Sequence, residues 1–223
     1  MSFAALVCCL LLAAPTLASA QQQPERNPPP KNAPARPGDP KAAEPKAKAE
    51  RPLHSRMPDS PRERAKLLQD LYAHLAAAGD ADEANKAAQA IERLWLTPGS
   101  DTVSVLMERA VVAANEKRLD LAIKLLDTVV QLAPDYAEAW NRRAYVHYLR
   151  DDVGRALGDL RRALALDPSH FKALDGLAQI LKELGEKKAA YQVYQKLLEV
   201  HPFWQPAEQA IRELGRDVDG QGI

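Results

Sequence analysis

Residues 137–170 read AEAWNRRAYVHYLRDDVGRALGDLRRALALDPSH, and this stretch recurs in outline before and after itself. Pro134, Pro168 and Pro202 stand 34 residues apart; so do Ala122, Ala156 and Ala190, and so do Leu126, Leu160 and Tyr194. Three independent positions sharing one period define a repeated structural unit rather than a chance pattern. Within each unit the apolar residues recur at helical spacing, and each unit closes on a proline. Proline cannot donate its backbone hydrogen bond and restrains the residue before it, so it ends a helix. The period therefore predicts a helix–turn–helix unit repeated in tandem.

The best-matching unit carries Trp140, Arg143-Ala144, His147, Ala156, Leu160 and Pro168. The unit before it has Leu106, Arg109-Ala110, Ala113, Ala122, Leu126 and Pro134; the unit after it has Leu174, Leu177-Ala178, Leu181, Ala190, Tyr194 and Pro202. This pattern resembles the tetratricopeptide-repeat family, whose unit places Trp, Leu-Gly and Tyr on its first helix and Ala, Phe and Pro on its second. Departures fall mainly at the Leu-Gly and Tyr positions. The resemblance implies an all-α fold, a right-handed α-solenoid of stacked helical hairpins that works as a binding scaffold rather than an enzyme.

The repeats set the expected boundaries. Residues 60–215 form the repeat domain, with full units at 103–136, 137–170 and 171–204 and a degenerate unit at about 65–98. In the degenerate unit Leu68, Leu71, Leu75, Gly79-Asp80, Ala84, Ala88 and Ile91 follow the pattern. Ala84 lies 38 residues before Ala122, so four residues are inserted near Leu96 to Ser100. Ser60 and Pro61 predict a capped helix start. Residues 204–215, with Ala207, Ala210, Ile211 and Leu214 on one face, predict a lone helix capping the stack, as the terminus of a solenoid requires. Residues 216–223 read as a polar tail.

Upstream, Phe3 to Ala14 is an apolar run followed by Pro15 and Ala18-Ser19-Ala20, the pattern of an export signal cleaved after Ala20. No lysine or arginine precedes the run. An uncleaved membrane anchor is the alternative, although the run is shorter than the roughly 20 residues a spanning helix needs. Cys8 and Cys9, the only cysteines, lie inside this segment, so the expected mature chain has no disulfide. Residues 21–59 are rich in proline, lysine and alanine and poor in large apolar residues, which predicts a semi-rigid, weakly basic linker. Such a chain would be periplasmic, and it resembles the exported repeat proteins of Gram-negative bacteria that support envelope integrity or assembly.

Lysine plus arginine and aspartate plus glutamate number 30 each, so no positive excess favours nucleic acid. Membrane contact is expected only if the N-terminal segment stays uncleaved. The five histidines are scattered, and no phosphate loop, serine elbow or zinc-binding pair is present, so no catalytic, cofactor or metal residues are expected. The arginines around 142–162 admit two readings: recognition of carboxylates or phosphates, or a solvated helix surface paired with Asp151, Asp152 and Asp159.

In tetratricopeptide repeats the first helix of each unit lines the concave side, where extended peptides bind. Carrying the family's groove positions onto this chain selects Gln69 with Ala73, Met107, Val111, Asn141 with Arg142, Tyr145, Tyr148, Lys172, Asp175, Gln179 and Lys182. The expected partner is a protein or peptide segment, anchored by the tyrosines. The chaperone-tail binders of the family hold their ligand with a Lys and Asn clamp in the first unit. Gln69 and Ala73 depart from it, so that ligand is not expected.

Alanine at 156 matters because it lets the two helices of one unit approach closely. Ala156→Leu should therefore lower stability by about 1–3 kcal/mol through overpacking, measured by urea unfolding. An unchanged midpoint would mean that the helices do not cross there.

Overall fold

The computed structural model describes residues 60–220, with side chains to Arg216. The stretches expected to be an export signal and a proline-rich linker, and the last residues of the expected tail, lie outside the described residues. The described residues form nine α-helices and no strand. In chain order they are α1 (Pro61–Ala76), α2 (Ala81–Trp95), α3 (Asp101–Asn115), α4 (Leu119–Leu132), α5 (Ala137–Leu149), α6 (Val153–Leu166), α7 (Phe171–Glu183), α8 (Lys187–Val200) and α9 (Gln205–Gly220).

The starts follow local capping chemistry. Ser60 Oγ accepts a hydrogen bond from the Glu63 N–H at 3.2 Å with Pro61 in the first turn, as expected. Asp80 caps α2 in the same way at 2.8 Å, and Asp152 caps α6 at 3.2 Å. The ends recur with the sequence period: α4, α6 and α8 stop at Leu132, Leu166 and Val200, two residues before each proline. The turn inside each unit is also reused. Lys117, Asp151 and Gly185, at equivalent positions, all have positive φ, at 61°, 60° and 81°. Only glycine adopts that conformation without steric cost, so the shared geometry is imposed by the stack.

Ala122, Ala156 and Ala190 are completely buried, as are Ala144 and Ala178 on the facing helices. Ala144 and Ala156 share one cluster with Leu160, Ala163, Ala173 and Ile180. Trp140 packs at the edge of this cluster and is only half-buried; its indole N–H donates to the Pro134 carbonyl at 3.1 Å. The Arg143 guanidinium lies 4.7 Å from the ring centroid. The cost of truncating Trp140 therefore falls below that of a fully buried indole.

Helices α3 to α8 stack as three consecutive hairpins, each second helix packing on the first helix of the next, and α9 closes the far end against α8. Helix α9 buries Ala207, Ala210 and Leu214 and continues past Gly215 to Gly220. A single interior glycine costs only about 1 kcal/mol in a helix, and no proline stands among residues 216–220 to stop it.

The α1–α2 hairpin departs from simple stacking. Helix α2 does not lie along α3 as α4 lies along α5; instead α1 packs on α8. The four inserted residues, with Gly99 at φ 79°, let the hairpin turn away from α3. It docks onto the loops between later units. The Trp95 indole stacks on the His170 ring with centroids 3.8 Å apart and 5° between planes, and it leans on Phe171. Tyr72 donates to Asp167 Oδ2 at 2.6 Å, Tyr136 donates to the Trp95 carbonyl, and Lys172 pairs with Glu92 at 2.7 Å.

His170 ties this clasp to a buried carboxylate. Its Nδ1 accepts from the Ala173 N–H at 3.3 Å, capping α7, which assigns the proton to Nε2. That nitrogen faces Glu138 Oε2 at 3.1 Å, with both side chains almost wholly buried. Arg142 Nε donates to the other oxygen at 2.6 Å, and Asn141 donates to Oε2 at 2.9 Å. Burial alone would push the Glu138 carboxyl up; the adjacent His170 imidazole, the Arg142 charge and the Asn141 amide outweigh it and hold the group below the usual carboxylate range.

A carboxylate whose folded pKa is depressed contributes stability above its unfolded pKa and loses it as pH falls through the folded value. Glu138→Gln should lower stability at neutral pH by about 3 kcal/mol, because the Arg142 guanidinium then keeps its charge but loses the carboxylate that balances it. It should also flatten the acid limb of the stability profile, measured by chemical unfolding at a series of pH values. An acid limb as steep as that of the wild type would remove Glu138 from this role.

Candidate peptide-binding groove

Because α5 and α7 are equivalent first helices one unit apart, their equivalent faces line the same side of the stack. Between them lies a cavity of about 430 Å³. Its apolar floor is Ala144, Leu160, Gly176 and Ile180, and Trp204 closes one side. Polar and aromatic side chains form the walls: Asn141, Arg142, Tyr145 and Tyr148 from α5, and Lys172, Asp175 and Gln179 from α7. Those seven are all among the positions selected from the sequence, and the structure brings them together.

Five selected positions lie elsewhere. Gln69 and Ala73 sit exposed on α1, which the docked hairpin carries away from α3. Met107 is buried in the α3–α4 core with Ala122, Leu126 and Val129. Val111 is half-buried on α3 and does not line the cavity. Lys182, next to Glu183, belongs to a separate shallow hollow beside α9 and pairs with Glu213 at 3.5 Å.

The walls differ in how firmly they are held. Asn141 and Arg142 are fixed by Glu138, so the α5 end of the groove is rigid. Tyr148 donates to Glu183 at 2.6 Å, bridging α5 to the end of α7, and that hydrogen bond raises its pKa. Gln179 donates to Asp175 Oδ2 at 2.8 Å. Burial pushes the Asp175 carboxyl up, against the opposing effect of the Trp204 indole and Gln179. Tyr145 is 58% exposed and projects its ring from the wall. The arrangement offers an apolar floor, one presented aromatic ring, and donors and acceptors of both signs along the rim. Such a mixture suits an extended polypeptide, whose backbone presents both donors and acceptors.

Most arginines of this region are spent on the protein itself. Arg143 grips Asp159 through two bonds of 2.8 and 2.7 Å and Asp127 through a third of 2.8 Å. Arg155 pairs with Asp152, and Arg150 with Asp120. This is the paired-surface reading of the cluster. His147 is buried, and burial pushes its imidazole pKa down. Among the described residues no group of histidines, cysteines and carboxylates could hold a metal ion.

Glu138 and Trp204 were not singled out from the sequence as site residues. A glutamate in a first helical turn reads as a helix-dipole partner, and only the burial of residue 138 against His170 shows otherwise.

Tetratricopeptide-repeat family models match residues 74–137, 137–170 and 172–203. A TPR repeat-containing protein of Rhizobium etli is 33% identical over 161 residues, covering 72% of this chain and 78% of that protein. Tetratricopeptide repeat protein 36 of Bos taurus is 43% identical over 58 residues, 26% of this chain and 31% of that protein. Among solved structures, the first TPR of Spaghetti, bound to an HSP90 peptide, superposes with a TM-score of 0.51 at 22% identity, over 54% of this chain and 95% of that one. The Sgt2 TPR domain of Aspergillus fumigatus gives a TM-score of 0.50 at 20% identity, over 54% of this chain and 81% of that domain. At these identities the two structures speak to fold alone. The repeat spacing, the stacked hairpins and these matches agree: the chain belongs to the tetratricopeptide-repeat family.

Proposed function

We propose that this protein is a non-enzymatic adaptor of the periplasm that holds an extended segment of another protein between α5 and α7. The observation that carries the reading is the cavity of about 430 Å³ with an apolar floor and an exposed tyrosine on its wall. A groove built on rigid helices and lined by fixed polar groups loses little entropy on binding. Tyrosine adds buried area at low rotamer cost and keeps a polar tip for the rim. One structural neighbour holds an HSP90 peptide, so a stack of this fold can accommodate a peptide ligand.

The periplasmic setting, and with it a role in envelope integrity or assembly, rests on the leader-like residues 1–20. No helix among the described residues is long and apolar enough to cross a membrane. The mature protein should begin at Gln21 when sequenced from its N-terminus. Recovery of an intact Met1 would favour a membrane-tethered structural protein instead.

A photocrosslinker at Tyr148 should capture a protein in living cells. Tyr145→Ala/Tyr148→Ala should lose that protein in pull-down, with binding weakened by about 2–4 kcal/mol if both rings are anchors. A double variant that keeps every partner at wild-type affinity would rule out the groove as the binding site.

A further inference from the structure

The departure of α1–α2 from the stack leaves the outer face of α3 without the neighbour its counterparts have. Val105 and Val112 are 46% and 49% exposed. One period on, Ala139 and Val146 occupy the same positions in α5; two periods on, Ala173 and Ile180 occupy them in α7. All four of those residues are buried, none more than 4% exposed, because a preceding hairpin covers them. The α3 face therefore has the character of an interface between units, with the preceding unit elsewhere. Together with Leu121 and Leu125 of α4 the two valines line a furrow of about 560 Å³, and Glu108 and Arg109 stand between them.

The chain's own hairpin is not available to cover this face. Its apolar residues, from Leu71 to Trp95, are already buried against Phe171, Leu174 and the loops near His170. We propose that the α3 face is covered by the same face of a second copy, giving a two-fold symmetric dimer with α3 antiparallel to α3.

Two observations select a second copy. The first is charge complementarity. Val105, Glu108, Arg109 and Val112 share one face at helical spacing of three and four residues. A two-fold axis crossing α3 between residues 108 and 109 sets each Val105 against Val112 of the second copy, and each Glu108 against Arg109 of the second copy. Glu108 and Arg109 have no ion-pair partner among the described residues of their own chain, so both are free to pair across such an axis. Packed helices cross at an angle, which confines contact to the central turns and keeps Asp101 and Glu116, of like sign, apart. The second is closure. The other end of the stack is sealed by α9, whose outward residues Gln205, Gln209, Arg212 and Glu213 are exposed and polar. Joining open end to open end consumes both uncovered faces and stops, whereas an open-to-capped contact would propagate into a fibre.

Sedimentation equilibrium of the whole mature chain tests this directly. The wild type should be dimeric at micromolar concentration, and Val105→Lys/Val112→Lys should be monomeric with an unchanged helical circular dichroism spectrum. Charge reversal supplies a test that does not depend on the apolar core. E108R alone and R109E alone each place like charges across the axis and should weaken the dimer by about tenfold or more. The E108R/R109E double reversal restores the pairing and should dimerise like the wild type. Mixing the two single variants should yield heterodimers in preference to either homodimer. A wild-type chain that stays monomeric throughout would assign the face to a different protein and overturn the proposal. A dimer indifferent to the lysine and charge variants would overturn it as well.

Discussion

The close approach of paired helices at Ala110 and Ala122, Ala144 and Ala156, and Ala178 and Ala190 is the constraint on which the rest of this molecule depends. All six are buried to within 1% of complete exclusion from solvent. A small side chain at the crossing fixes the interhelical distance, so successive hairpins are nearly identical and repeat every 34 residues. From that sameness follow the recurrent helix ends, the positive φ reused at residues 117, 151 and 185, and the equivalent placement of α5 and α7. The groove walls are thus a product of repetition: a residue reaches the groove because its repeat position does.

What distinguishes this stack from a plain repeat is its buried polar strut. Trp95 of the docked hairpin lies on His170, His170 meets Glu138, and Glu138 holds Arg142 and Asn141 at the groove wall. A buried carboxylate is tolerated only when its oxygens are satisfied, and here each one has a donor. Such a network contributes less to net stability than to specificity of arrangement. It joins two places that the repeat pattern alone would leave independent, the seat of the α1–α2 hairpin and the rim of the candidate groove.

The repeat spacing made the helices and their ends legible, and the family resemblance selected seven of the residues that line the cavity, because those properties depend on residues close in sequence or on position within a unit. The seat of α1–α2 was not legible. The 38-residue gap between Ala84 and Ala122 disclosed an insertion, but an insertion specifies freedom and not destination. The destination is set by contacts such as Trp95 with His170 and Tyr72 with Asp167, which join residues far apart in the chain and carry no periodic signature. The misplacement of Gln69 among the groove residues has this single origin. Met107 has another: the same position that faces the groove in α5, Asn141, is filled by an apolar side chain in α3 that packs inward instead.

One change in chain length accounts for two features that would otherwise look unrelated. With four fewer residues between Ala84 and Ala122 the first hairpin would be held at the repeat distance and would lie along α3, burying Val105 and Val112 as their counterparts are buried. With them, the hairpin reaches the inter-unit loops, where its aromatic residues find His170 and Phe171. The gain there is substantial, since Trp95 is a large ring placed against buried His170 and Phe171, and Tyr72 donates to half-buried Asp167. The loss is an apolar strip on α3 that faces water in the single chain. Two exposed valines cost a monomer little, of the order of a kcal/mol or two, so the exchange favours the clasp.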